Sequence, residues 1–184
     1  LSDGSELDGK SYGILSLDGV LYAFVSAGSN VEAYPGADLY KSTDKGASWT
    51  ETGVRVNGTD DTSENIVHPV FLQFGQDYAS ARDDYVYVYG ADIKDTSGLV
   101  IQDPGDIWLL RVHRDSLEDK SAYKWYTSTD PSAPSWGTKA KRQPVFEDPA
   151  GVSWTTGSII WVPGLDQYVL ATEYAASGAG NLQM

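Results

Sequence analysis

The sequence predicts an all-β chain of short antiparallel strands, and three observations carry that prediction. Apolar residues recur at period two in several separate runs, the spacing that puts one face of a strand against a core. Nineteen Gly and 8 Pro stand beside 6 Trp and 12 Tyr in 184 residues, a mixture suited to tight turns between aromatic-rich strands. No stretch repeats its apolar residues at the 3.6-residue period of an amphipathic helix. With 41% hydrophobic and 21% charged residues the chain is globular rather than disordered.

Residues 1–10 are polar and turn-rich and read as an irregular lead-in. Residues 13–26, GILSLDGVLYAFVS, read as a hairpin about Asp18-Gly19, because both residues tolerate the positive φ of a type I′ turn. A third strand begins at residues 37–42, and residues 53–65 read as a long polar loop. The stretch HPVFLQFGQDYASARDDYVYVYG, residues 68–90, is the centre of the reading: strands 70–74 and 85–89 flank a polar connection. In Tyr-Val-Tyr-Val-Tyr the tyrosines fall on one face and the valines on the other. Residues 91–105 read as an acidic loop, 106–113 as a strand, 114–121 as one turn or a short helix, and 123–127 as a strand. Residues 143–147 form a further short strand, and 157–163 with 167–174 a last hairpin across Gly164-Leu165-Asp166.

Between the third and fourth strands lies the most specific motif. In Ser42-Thr-Asp44-Lys-Gly46-Ala-Ser-Trp49, Asp44 can accept backbone N–H bonds, Gly46 supplies a φ other residues resist, and Trp49 buries a large ring. This resembles the Asp box of sialidase-like β-propellers, where it is a structural turn. A degenerate copy follows at Ser128-Thr-Asp130 with Ser135-Trp136, at blade or two-blade spacing. The runs Asp106-Ile-Trp-Leu-Leu-Arg-Val, Asp77-Tyr78-Ala-Ser-Ala-Arg82-Asp83 with Tyr85-Val-Tyr87, and Gly164-Leu165 with Tyr168-Val-Leu are similar to patterns in sialidase-like propeller domains of secreted carbohydrate-active proteins. Many such domains are of unknown function; others are polysaccharide lyases of ulvan-type or rhamnose–glucuronate glycans. The resemblance implies four-stranded antiparallel blades in approximate units 11–75, 76–140 and 141–184. At a blade's usual length the chain supplies about two and a half to three of them. It also implies a secreted or extracytoplasmic protein acting on a polysaccharide or oligosaccharide. The start at Leu1 and the end at Met184 read as those of a fragment.

A net charge of −13 argues against nucleic acid as a partner, since that affinity comes from Lys and Arg on phosphates. The absence of Cys excludes disulfides and thiolate chemistry, and no apolar run is long enough to span a bilayer. No cofactor is implied. Only the acidic loop with Asp92, Asp95, Asp103 and Asp106 raises a structural Ca²⁺, and its spacing is not that of an EF-hand.

Within this resemblance the leading chemistry is β-elimination at a uronic acid. Arg82 would neutralise the carboxylate, which a guanidinium grips bidentately. His68 would be general base or acid, with Tyr78 or Tyr85 assisting and Asp77 and Asp83 binding substrate. A salt bridge from Arg82 to Asp77 or Asp83 is the structural alternative. A sialidase-like hydrolase needs an arginine triad; Arg55, Arg82, Arg111, Arg114 and Arg142 are available but in no triad context. Other glycosidases need paired carboxylates, for which Asp77, Asp83, Asp92, Asp106 and Glu173 are candidates. A non-catalytic glycan-binding propeller is the third reading, and convergence of Arg82 and His68 in one pocket discriminates among them.

Overall fold

The computed structural model describes residues 10–26, 36–56, 65–93, 106–147, 152–154, 159–170, 172–174 and 181–183. Strands β1 (Lys10–Leu17) and β2 (Val20–Ser26) pair antiparallel about Asp18 and Gly19, whose φ angles of 52° and 79° satisfy the type I′ requirement. Strands β3 (Ala37–Ser42) and β4 (Thr50–Val56) extend the meander into a four-stranded sheet of order β1-β2-β3-β4, the up-and-down order of a propeller blade. β4 runs through Gly53 to Val56, so the first four residues of the loop read at 53–65 are strand.

The turn joining β3 to β4 uses each residue of its motif. The Ser42 hydroxyl donates to Asp44 Oδ1 at 2.7 Å and accepts the Gly46 N–H at 2.8 Å. The Asp44 carboxylate accepts the Ser48 N–H at 2.9 Å and the Ser48 hydroxyl at 2.6 Å. Those bonds, with Ser48 foremost and Ser42 next, hold the Asp44 carboxyl down at about 2. Lys45 and Gly46 take φ of 63° and 87°, and half-buried Trp49 leads into β4. The second turn repeats part of this wiring. Asp130 donates its N–H to the Ser128 hydroxyl at 3.1 Å and accepts from Ser132 rather than from a residue four positions on.

A second sheet contains β5 (Asn65–Phe71), β6 (Tyr85–Ile93), β7 (Ile107–His113), β8 (Lys124–Tyr126) and β9 (Trp136–Gly137), in that order. It has five strands where four were expected. β5 pairs with β6 from Asn65↔Ile93 to Phe71↔Val88, so the sheets divide between β4 and β5 and not at residue 75. Two short 3-10 turns, Arg114–Ser116 and Lys120–Ala122, fill the connection from β7 to β8. The strand expected at 143–147 is reduced to one bridge, Ile107↔Phe146, because only Phe146 and Val145 reach the β7 backbone. Past β10 (Val152–Trp154) comes the hairpin of β11 (Ile159–Val162) and β12 (Gln167–Leu170) about the expected turn. β13 (Thr172–Tyr174) and β14 (Asn181–Gln183) pair with β10 in the order β10-β13-β14. No α-helix occurs among the described residues, and none of their helices is long and apolar enough to cross a membrane.

The first two sheets share one core. Val86 and Val88 of β6, Leu110 and Val112 of β7, and Leu15, Phe24 and Leu39 of the first sheet are all buried in it. Phe24 and Phe71 stack across the gap with ring centroids 4.9 Å apart. Polar ties join the same two sheets. Asp77 Oδ1 accepts the Ser16 hydroxyl at 2.9 Å and the Gly19 N–H at 3.0 Å, and Arg114 donates to Asp18 at 2.8 Å. Lys41 pairs with Glu118 at 2.7 Å.

Candidate functional site

The tyrosines of β6 alternate with its fully buried Val86 and Val88, and Tyr87 packs only partly against the shared core. Tyr89, fully buried, accepts the Ile159 N–H, which seats the β11–β12 hairpin against one end of the tyrosine face. The other end carries the residues of interest. Cross-strand pairing sets Tyr87 opposite Arg111 and Tyr85 opposite His113. Arg111 lies between two rings, 4.0 Å from the Tyr85 centroid and 4.3 Å from that of Trp136. Trp136 in turn meets Tyr87 and Tyr126 at 5.8 and 5.6 Å.

Arg82, exposed on the connection before β6, stacks over Trp161 of β11 at 4.3 Å. Trp161 touches Tyr168 at 4.9 Å, and Tyr168 lies edge-on to Phe74 at 6.3 Å. Tyr168 is 46% exposed, and it and the Arg82 guanidinium both contact Trp161. A guanidinium stacked on a ring keeps its N–H edge in the plane of the stack, where it can donate to a carboxylate.

The other expected residues have different placements. Tyr78 is buried, edge-on to Phe74 at 5.2 Å, and donates its hydroxyl to the Tyr85 carbonyl at 3.2 Å. Burial pushes its phenol well above the ordinary tyrosine range. Asp83 accepts the Tyr85 N–H at 3.0 Å and the Tyr87 hydroxyl at 2.6 Å, and so pins the start of β6. Asp77 holds the hairpin turn of the first sheet; the Gly19 N–H and then the Ser16 hydroxyl lower its pKa. Neither carboxylate pairs with Arg82 among the described contacts, so the expected salt bridge gives way to the stack on Trp161.

His68 is 2% exposed and sits at a β-bulge of β5 with φ 51°. It lies beside Val67, whose partner is Ala91, while Arg82 lies beyond Tyr85 at the far end of β6. At about 3.3 Å per residue the intervening strand spans roughly 20 Å. The expected meeting of His68 with Arg82 is therefore corrected: the hairpin holds them at opposite ends. His68, Asp77 and Tyr78 all take positive φ (51°, 53° and 60°), which β-branched and bulky residues resist. For Asp77 and Tyr78 the bonds and burial just described offset that cost.

The five arginines do not converge either. Arg55 pairs with Asp38, Arg114 with Asp18, and Arg142 lies over Trp108 and Trp125, while Arg82 and Arg111 keep their separate rings. Among the described residues no group of three or more His, Asp or Glu is placed to hold a metal ion. Of the acidic loop proposed for Ca²⁺, Asp95 and Asp103 lie outside the described residues.

A family model described as a domain of unknown function, DUF4185, matches residues 13–183. The chain belongs to the DUF4185 family. No curated protein matches this DUF4185 chain. Among solved structures it is similar to Trypanosoma rangeli sialidase in complex with 2,3-difluorosialic acid as a covalent intermediate. That match has 15% identity and a TM-score of 0.47, and covers 90% of this chain and 26% of that one. It is also similar to a mutant of the same organism's sialidase displaying trans-sialidase activity, at 15% identity and a TM-score of 0.42, covering 92% and 29%. The DUF4185 chain thus spans about a quarter of the length of these enzymes.

The partners of Arg82 and Arg111 were missed from sequence. Trp161 follows Arg82 by 79 positions and Trp136 follows Arg111 by 25, and neither spacing is periodic. The usable signal was the number of Trp and Tyr beside few arginines in a chain this acidic.

Proposed function

We propose that this domain recognises an acidic carbohydrate, with Arg82 donating to the sugar carboxylate and Tyr168 stacking on the ring. The observation that carries this reading is the exposed Arg82 guanidinium laid over Trp161 beside a half-exposed Tyr168. With a net charge of −13 the chain repels anions at long range, so an acidic glycan must be held by local cations and apolar faces. An exposed guanidinium braced by Trp161, which also touches a half-exposed tyrosine ring, meets that need.

β-Elimination at a uronate is the finer form of the same reading, in which Arg82 neutralises the carboxylate while a base removes the adjacent proton. His68 and Tyr78 are poor bases for it, one enclosed at the far end of the hairpin and the other enclosed with a raised pKa. Elimination at this platform would need a base other than these two. A sialidase-like hydrolase lacks support from the dispersed arginines, and a non-catalytic glycan-binding role needs nothing beyond the platform.

The test is calorimetric titration of the protein with oligogalacturonate and with its carboxyl-reduced counterpart, beside ultraviolet absorbance near ~235 nm and a reducing-end assay. Binding of the acidic form that falls about tenfold to a hundredfold in Arg82→Ala supports recognition, since a hydrogen bond to a charged group contributes about 1.5–3 kcal/mol. Equal binding of both forms, or binding unchanged in Arg82→Ala, refutes it. Absorbance gain adds elimination; reducing ends without it point to hydrolysis.

A further inference from the structure

Between the turn at residues 128–131 and the segment 143–147 lies a cleft of about 500 Å³. Its walls include Tyr126, Ser128, Thr129, Gln143, Phe146 and Glu147. We infer that this cleft is a binding subsite for a neutral sugar, separate from the Arg82 platform and independent of what that platform binds.

Three observations point to that ligand class. The volume falls within the ~300–1,000 Å³ typical of small-molecule sites and fits one or two pyranose rings. Glu147 is the only charged side chain in the lining, so an anionic ring is disfavoured and a hydroxyl-rich neutral one is not. Aromatic rings (Tyr126, Phe146) stand beside a hydroxyl, an amide and a carboxylate, which together supply apolar surface with both donors and acceptors.

The walls are fixed before any ligand arrives. Gln143 donates its N–H to the Tyr126 carbonyl at 2.9 Å, Ile107 donates its N–H to the Phe146 carbonyl at 2.9 Å, and the Ile107 carbonyl accepts the Val145 N–H at 2.8 Å. The Ser128 hydroxyl donates to the Asp130 and Ala133 carbonyls, both at 2.8 Å, which holds the box turn as the opposite wall. The side chains of Thr129, Gln143 and Glu147 have no hydrogen bond among those described, so their polar atoms remain for a ligand. Walls whose backbone is already hydrogen-bonded leave less to order on binding.

The experiment is saturation-transfer NMR on the protein with glucose, galactose, mannose, N-acetylglucosamine and rhamnose, each at ~10 mM to reveal millimolar affinities. At least one sugar is expected to give ring-proton signals. Those signals should fall at least about fivefold in the exposed-residue pair Thr129→Val/Glu147→Gln, through lost hydrogen bonds, and stay unchanged in Arg82→Ala. Circular dichroism of the pair checks that it folds; if it does not, Glu147→Gln alone carries the comparison. No signal from any of the five sugars, or a signal indifferent to the cleft substitutions, overturns the inference. Displacement by an equal concentration of galacturonate that survives in Arg82→Ala overturns the neutral assignment. Failure of the acidic-sugar reading leaves these outcomes untouched, since they do not involve Arg82.

Discussion

Replacing Phe71 by Ala removes one of the two rings that join the first sheet to the second. Phe71 is 1% exposed and Phe24 is 0% exposed, so neither ring has water to return to. Transfer of a buried Phe side chain is worth about 1.5–3 kcal/mol. The cavity left between two sheets that both have backbone ladders, and so cannot collapse freely, raises the expected loss to about 3–5 kcal/mol. With an m-value of ~2 kcal/mol/M in urea, the unfolding midpoint should fall by roughly 1.5–2.5 M. The stacked geometry adds a second, sharper expectation. A cycle of Phe24→Leu, Phe71→Leu and the pair should show coupling of about 0.5–1.5 kcal/mol beyond the area buried. Urea unfolding followed by tryptophan fluorescence and far-ultraviolet circular dichroism gives both numbers, and the two probes should coincide if the sheets unfold together. A loss below ~1 kcal/mol for Phe71→Ala, or strictly additive single changes, would refute a core shared between the sheets.

Further outcomes follow from the turns and the tyrosines. The Gly19 N–H and Ser16 hydroxyl lower the pKa of Asp77, so its contribution is present above the unfolded carboxyl pKa and lost as pH falls through the lower folded one. Asp77→Asn should therefore be less stable than the parent at neutral pH, and the gap should close in acid melts; a gap that persists unchanged in strong acid contradicts the clasp. Gly46→Ala should cost about 1–2 kcal/mol through its φ of 87° alone, because the nearest atoms to an added Cβ stand 3.7 Å away. Gly164→Ala, with open space and no left-handed angle, is the control and should be neutral in the same thermal melts. Burial pushes the phenols of Tyr22 and Tyr89 up to about 12, and Tyr78 and Tyr87 higher still. Their neutral-state stability is complete below the ordinary tyrosine pKa and lost as pH rises through the folded values. Alkaline titration of phenolate absorbance should show these groups delayed until unfolding between pH ~10 and ~12; simultaneous ionisation of all twelve tyrosines near the ordinary value would be inconsistent with their enclosure.

What the sequence disclosed and what it withheld divide along chain separation. The Asp18-Gly19 turn, the Ser42–Trp49 turn and the two faces of Tyr-Val-Tyr-Val-Tyr are decided by neighbours within a few positions, and each formed as read. β5 was begun too late, at Val70 rather than Asn65, because the bulge at His68 breaks the alternation that marks a strand. The strand at 143–147 carries the right residues but meets β7 only at Ile107, and pairing partners cannot be read from propensity. At the candidate site, Arg82 was legible as a cation on a rigid connection. Its ring, Trp161, was not, and the β5–β6 register, which sets His68 toward the other end of the ladder, is not readable from adjacency along the hairpin.

The clasp on the first hairpin has a consequence for how the chain comes into being. Asp18 and Gly19 are held by Arg114 and Asp77, and Lys41 by Glu118, spanning 96, 58 and 77 positions. During synthesis at ~5–20 residues per second, the first sheet waits several seconds for partners still inside the ribosome. Its local ladder can form in that interval, but its inner face stays open until the second sheet arrives, and contacts of such long separation are slow to close. The nascent chain therefore passes through a stage with Phe24 and Leu39 uncovered, and that stage, rather than the finished fold, is where a chaperone would have its hold.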